Sequence, residues 1–305
     1  MTKHKITTDV SQASDVLLSG GIVGMPTETV YGLAACALDE GAVARVFEAK
    51  GRPTTHPLIV HLAPDADVSQ WGEFTAEAKA LAKAFWPGPL TLLVRRSPLV
   101  PDWVTGGRDT VALRVPSHPV AIQLLRAVNT GLVAPSANKF GKVSPTTAEH
   151  VMDDLGDDVD VILDGGACVV GVESTIVECL DTSVSVLRPG TITVDEIEAV
   201  LQTVVAPSLG ESRAPGMLLS HYSPDADVFL VETREAGMQK KHELEKTGRT
   251  VHFIYHENVD DYARHLYQDL RHADVVHCDA VVAVMPEASG VGIAVRDRLT
   301  KAANR

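Results

Sequence analysis

Short apolar runs, each too brief for a helix, recur through the first two hundred residues. They lie at Ile22 to Met25, Leu58 to Leu62, Leu90 to Val94, Val111 to Val115, Leu132 to Ala134, Val159 to Leu163, Thr175 to Cys179 and Val184 to Leu187. Helix-patterned segments separate them, and this alternation predicts an α/β fold. Asp181-Thr182-Ser183 joins the last two runs in a turn suited to a hairpin, so a mixed sheet is expected rather than a purely parallel one. Thr146 with Glu149 and Thr193 with Glu196 read as capping boxes. Ala42 to Lys50 carries Val43, Val46 and Phe47 at helical spacing, and Gly51 and Pro53 stop it.

Around Ala206 to Gly216 the periodicity fails and Pro, Gly and Ser accumulate, as in an inter-domain linker. Beyond it the pattern restarts. Strands are expected at Val228 to Val231, Val251 to Tyr255, Val275 to His277 and Val281 to Met285, and helices at Ala236 to Lys246, Tyr262 to Arg271 and Ile293 to Ala303. The pattern divides the chain into a first domain over 1–205, a linker over 206–224 and a small, mostly parallel three-layer domain over 225–305.

Charge narrows the function. The 27 basic and 40 acidic residues leave 27 − 40 = −13, which repels a nucleic-acid backbone and argues against strong direct nucleic-acid binding. Anions must be bound locally, by a few cations and backbone N–H groups converging in a pocket. No apolar stretch approaches a membrane span, and the N-terminus lacks a signal-peptide core, so no membrane association and a cytoplasmic location are expected. Cys36, Cys168, Cys179 and Cys278 are scattered and read as inert thiols of a reducing compartment. No Walker-type phosphate loop occurs. Gly290-Val291-Gly292 reads as a turn into a helix, and His252 with His256 lacks a third ligand, so no metal site is expected.

Chemistry gathers at the strand ends. Pro26-Thr27-Glu28-Thr29-Val30-Tyr31-Gly32-Leu33 follows an apolar run, where open α/β sheets place ligands. Lys50-Gly51-Arg52-Pro53 sets two cations at a helix end, suited to clamping phosphates and expected to lie outside the core. Ser136-Ala137-Asn138, Ser144, Ser174-Thr175 and Arg188-Pro189-Gly190 add hydroxyls, an amide and an Arg. With Arg114 they outline an anion pocket in an acidic chain.

In order and spacing, Thr27 to Leu33, Lys50-x-Arg52-Pro53, Pro57 to His61, Ser136-Ala137-Asn138, Ser174-Thr175 and Arg188-Pro189-Gly190 resemble the YrdC-type threonylcarbamoyl-adenylate synthases. Ala214-Pro215-Gly216-Met217 and His221-Tyr222-Ser223-Pro224 are similar to the linker of the long, two-domain form. The resemblance implies a twisted mixed-sheet YrdC-like domain with a basic cavity, then a smaller Rossmann-like domain. It implies synthesis of L-threonylcarbamoyl-AMP and pyrophosphate from L-threonine, bicarbonate and ATP, with Mg2+ and no tightly bound organic cofactor. The product would pass to a tRNA threonylcarbamoyl-transferase complex. By motif, Thr29, Tyr31, His61, Arg114, Ala134 and Ser174 would face threonine. Arg52, His56, Thr110, Ser136, Asn138, Ser144, Arg188 and Tyr222 would face the nucleotide, with Lys50 beside the phosphates. Lys50 and Arg52 would be the catalytic cations. Two positions depart from the family pattern: His56 stands where Asn is frequent, and Leu218-Leu219-Ser220 where a basic residue is common. The competing readings are a carbamoyltransferase using a related adenylate, which lacks support because no Cys-x-x-Cys pair is present, and a double-stranded RNA-binding module, opposed by the net charge.

Overall fold

The computed structural model of the chain describes residues 5–180, 183–207 and 222–304. The hairpin turn at 181–182 and the linker over 208–221 lie outside the described residues. The first part builds one mixed sheet. Its neighbours run Ile6–Thr7, Val161–Leu163, Val23–Met25, Gly32–Cys36, Leu132–Val133, Ile59–His61, Thr110–Arg114, Leu90–Arg96, Thr175–Cys179, Val184–Arg188 and Ala206–Pro207, with Gly72–Glu73 paired to Leu90–Arg96. Thr175–Cys179 lies parallel to Leu90–Arg96 and antiparallel to Val184–Arg188, as the hairpin reading requires.

Side-chain alternation splits the core between the two faces of this sheet. Leu33 and Ala35 pack with Val43, Val46 and Phe47 of the helix Glu40–Lys50. Ala34 turns the other way, against Ala13 and Leu17 of the helix Val10–Leu18 and Leu124, Leu125 and Val128 of Pro119–Val128. Gly51 ends Glu40–Lys50 in the left-handed region at φ 62°, which delivers Arg52 toward the sheet. Thr193 and Glu196 form the expected capping box. Thr146 does not, because the helix Ala148–Leu155 starts one residue later and Thr147 caps it by accepting from the His150 N–H. The sequence also hid the strand Gly32–Cys36, since Gly, Ala and Cys are weak strand signals.

The second sheet is parallel throughout, in the order Asp227–Val231, Ala280–Val284, Val251–Ile254. Val281 and Ala283 face Tyr262, Leu266, Leu270, Val295 and Leu299, from the helices Val259–Val275 and Gly292–Ala303. Ala280 and Val282 face Leu244 of Arg234–Lys246, which completes three layers. The strand expected at Val275 to His277 is instead the end of Val259–Val275 and its cap. Tyr262, Leu266, Leu270 and Ala273 keep one face buried through that helix, so helical periodicity wins over the short apolar run. No helix among the described residues is long and apolar enough to cross a membrane. The two parts touch through Arg271 on Asp154 (2.5 Å), Lys142 on Asp225 (2.5 Å) and Arg264 Nε donating to Val169 O (3.1 Å).

Candidate active site

The strand ends of the large sheet converge on one cavity. His61 and Arg114 close adjacent parallel strands and stand in register. Ala134 and Ser136 follow Leu132–Val133, Ser174 precedes Thr175–Cys179, and Arg188 ends the strand beside it. Across from them, Thr27 Oγ1 accepts the N–H groups of Thr29 and Val30 at 3.2 Å each and donates to Val30 O at 2.6 Å, a hydroxyl-stabilised turn that fixes Thr29. Thr29, Arg52, His61, Arg114, Ala134, Ser136, Ser174, Arg188 and Tyr222 all line the cavity, as do Val30, Ile59, Pro135 and Glu173. The free volume is small, about 50 Å3.

Three guanidinium groups share this space, and each is braced by backbone. Arg188 donates to Ser174 O through Nε (3.1 Å) and Nη2 (2.9 Å) and to Ser174 Oγ (3.1 Å), while Ser174 Oγ meets Thr91 Oγ1 at 2.8 Å. Arg52 donates to Pro57 O at 3.1 Å and lies over the Phe140 ring at 5.7 Å. Burial lowers the pKa of both, that of Arg52 to about 10, which leaves it cationic at neutral pH. Arg114 pairs with Glu28 at 2.8 Å. Burial first, then the Arg114 charge, pushes the His61 imidazole down to about 3, so it is neutral at pH 7. Its Nδ1 is buried without a hydrogen-bond partner among the described residues. A neutral imidazole beside cations suits contact with a ligand oxygen or amine.

Six of the sequence-predicted residues stand behind the wall or away from it. Lys50 is buried, and its Nζ donates to Ser136 O (2.5 Å) and Asn138 O (2.6 Å), so the ammonium shapes the Ser136 loop. The expectation that Lys50 and Arg52 lie outside the core is corrected here: both are at least nine-tenths buried. Asn138 braces the same loop by donating to Lys139 O and Lys142 O at 2.8 Å each. The Tyr31 hydroxyl donates to Gly166 O (2.8 Å) and accepts from the Gly165 N–H (3.1 Å), away from the cavity. His56 packs edge-on against Phe140 at 5.5 Å, and Thr110 pairs with Arg95 in the sheet. Ser144 Oγ donates to Glu173 Oε1 at 2.7 Å, one step behind the wall.

Residues 15–190 match the family model of Sua5, YciO and YrdC described as telomere recombination, and residues 192–304 match that of the threonylcarbamoyl-AMP synthase C-terminal domain. The threonylcarbamoyl-AMP synthase of Pyrococcus abyssi is 41% identical, over 95% of this chain and 92% of its own. That of Bacillus subtilis is 40% identical, over 96% and 92%. The crystal structure of P. abyssi Sua5 complexed with L-threonine aligns with a TM-score of 0.91 at 41% identity, covering 96% of this chain and 94% of that one. This chain belongs to the threonylcarbamoyl-AMP synthase family. Within that family frame, sequence reasoning gave no role to Glu28 or Glu173, although Glu28 sits inside a quoted motif and Glu173 directly precedes one. The available signal was an acid among hydroxyls at a strand end, where an unpaired carboxylate would oppose anion binding.

Proposed function

We propose that this chain makes L-threonylcarbamoyl-AMP and pyrophosphate from L-threonine, bicarbonate and ATP. The observation that carries the reading is the convergence of Arg52, Arg114 and Arg188 with small hydroxyls in one cavity of a chain whose net charge is −13. Two anions must meet in this reaction. The threonine amine adds to CO2 from bicarbonate and loses a proton, giving a carbamate, whose oxygen attacks the α-phosphorus as the bond to pyrophosphate breaks. Guanidinium groups already desolvated and braced offset the repulsion and stabilise charge on the leaving pyrophosphate without reorganising. Arg114, with neutral His61 and Thr29 beside it, receives the threonine carboxylate end, and Arg52, Ser136 and Arg188 receive the nucleotide. Lys50 acts on the phosphates through the Ser136 loop that it holds.

The carboxylates of the site are already engaged. Glu28 pairs with Arg114, and Glu173 accepts from Ser144, Tyr267 and Arg298. No group of three metal-ligating side chains occurs among the described residues. That donor set fits Mg2+ carried on the nucleotide phosphates with water rather than a cage of side chains. When bound, Mg2+ neutralises charge on the leaving phosphates.

Pockets for ligands of this size run to about 300–1,000 Å3, against the 50 Å3 found here. Tyr222, at the end of the linker, lines this cavity and is 1% exposed. A buried ring in that position supports a linker that acts as a lid, withdrawing for ATP and returning to keep water from the mixed anhydride. The product then passes, in the cytosol, to a tRNA threonylcarbamoyl-transferase complex. Pyrophosphate release measured with each component omitted tests the reading: release should require L-threonine, bicarbonate, ATP and Mg2+ together. Equal release without threonine would overturn it.

A further inference from the structure

The helices of the second sheet reach the wall of the cavity from behind. Glu173 Oε2 accepts from Tyr267 Oη at 2.7 Å and from Arg298 Nε at 2.8 Å. Tyr267 belongs to Val259–Val275 and Arg298 to Gly292–Ala303, and Arg298 has no exposed surface. The same guanidinium donates through Nη2 to Pro189 O at 3.0 Å and through Nη1 to Asp297 at 2.5 Å. Arg298 thus touches the chain neighbours of two cavity residues, Ser174 and Arg188. It also lies 5.4 Å from the centre of the Tyr222 ring, on which Tyr267 stacks at 5.5 Å and 26°.

Burial would raise the Glu173 carboxyl, but Arg298 and then Arg188 outweigh it and hold the group ionised, down to about 2. Removing one member of a buried charge pair leaves the other uncompensated, which costs far more than the pair contributes. Without Arg298, the cation left to neutralise Glu173 is Arg188, whose guanidinium now braces Ser174. Its shift toward Glu173 would distort the nucleotide side of the cavity.

We propose that Arg298 and Tyr267 are positioning residues for the nucleotide half of the site. They act through Glu173 and Tyr222, so that the C-terminal domain is a structural part of the catalytic cavity. The proposal rests on the reading of this cavity as the nucleotide site.

The test uses the full chain carrying Arg298→Met, Arg298→Lys, Tyr267→Phe or the pair Glu173→Gln with Arg298→Met. The readouts are KM for ATP and for L-threonine, the pH profile, melting temperature and ATP affinity by calorimetry. Loss of the buried cation in Arg298→Met should raise KM for ATP about tenfold or more while KM for L-threonine stays within about twofold. The acid limb of kcat/KM for ATP should move to higher pH, because Glu173 is less well held as an anion. Arg298→Lys should restore part of the loss, and the double variant should restore more, since it leaves no unpaired charge. A lower melting temperature with both KM values and the pH profile unchanged would overturn the proposal, reducing these contacts to domain adhesion. Should Arg298→Met fail to fold, Tyr267→Phe decides, because it removes one hydrogen bond and keeps the ring. Its acid limb should move up, and an unmoved limb counts against the positioning role. Absence of threonine-dependent turnover in the unaltered chain would instead sink the proposed function, and unchanged ATP affinity across the variants would sink this inference alone.

Discussion

Arg114 Nη2 lies 2.8 Å from Glu28 Oε1, and both side chains are almost fully buried. Burial pushes the Glu28 carboxyl up, but the Arg114 charge and hydrogen bonding outweigh it, so the acid titrates below its usual range. A lowered carboxyl stabilises the fold above its unfolded pKa and loses that contribution as pH falls through the folded one. The pair also orients the guanidinium toward the space beside His61 and Thr29. Glu28→Gln should therefore cost about 3–5 kcal/mol of stability, the usual penalty for stranding a buried charge. The double change Glu28→Gln with Arg114→Met should recover much of that stability without recovering L-threonine affinity. Denaturant unfolding and calorimetric titration separate the two effects, and a single variant as stable as the parent chain would contradict the pairing argument.

His61 offers a pH test. Its folded pKa is about 3 against an ordinary 6.5, so below 6.5 the unfolded chain takes up a proton that the folded chain refuses. Stability falls as pH drops through that window, by about 1.4 kcal/mol per pH unit from this group, until the folded imidazole protonates. His61→Gln should flatten that slope. By nuclear magnetic resonance the His61 ring should show no titration between about pH 8 and pH 5, and a midpoint near 6.5 would exclude the buried neutral ring.

Lys50 couples structure to rate. Burial, then the neighbouring Arg52, pulls its pKa well below the ordinary lysine range, yet its Nζ still holds the carbonyls of Ser136 and Asn138. Lys50→Met should lower the rate by about a hundredfold, as for misplacement of the groups that position a reactant. It should also lower stability by about 0.5–1.5 kcal/mol per lost hydrogen bond. A variant that loses rate with no change in unfolding midpoint would mean that Lys50 acts without holding the loop.

These residues also mark what could be read from the chain alone. Arg114, Ser174 and Arg188 were legible because each lies within or beside an apolar run, and strand ends in α/β sheets collect ligands, whereas His61 was assigned through the family motif. Tyr31 shared that position, yet its hydroxyl turns to Gly165 and Gly166, more than 130 residues on. Glu173 and Arg298 are 125 residues apart, and Glu28 and Arg114 are 86 apart (114 − 28). Pairings at such separations leave no local pattern, because side-chain partners are chosen by how the sheets stack. The burial of Lys50 was hidden for the same reason: the helix that carries it is amphipathic in the ordinary way, and only the Ser136 loop explains the ammonium beneath it.

Tyr222 holds the last test. Its backbone sits in the left-handed region at φ 64°, where a non-glycine residue needs compensating contacts. They come from the Tyr267 stack, the Arg298 guanidinium and the Ser223 N–H donating to Gly141 O at 3.1 Å. Tyr222→Ala removes the ring from the cavity and from the edge of the C-terminal core, where it packs with Tyr267. Nucleotide affinity should fall by about tenfold, as for truncation of a buried aromatic contact, and the mixed anhydride should hydrolyse faster once water enters. A chain ending after about residue 208 should lose more, because Glu173 then also lacks Tyr267 and Arg298. Supplying the C-terminal part as a separate chain should restore little, since the tether sets its effective concentration. ATP affinity and product lifetime should be highest in the full chain, lower in Tyr222→Ala and lowest in the truncation. Equal values in all three would make the linker a spacer, and would leave the stacked Tyr222, Tyr267 and Arg298 without a part in catalysis.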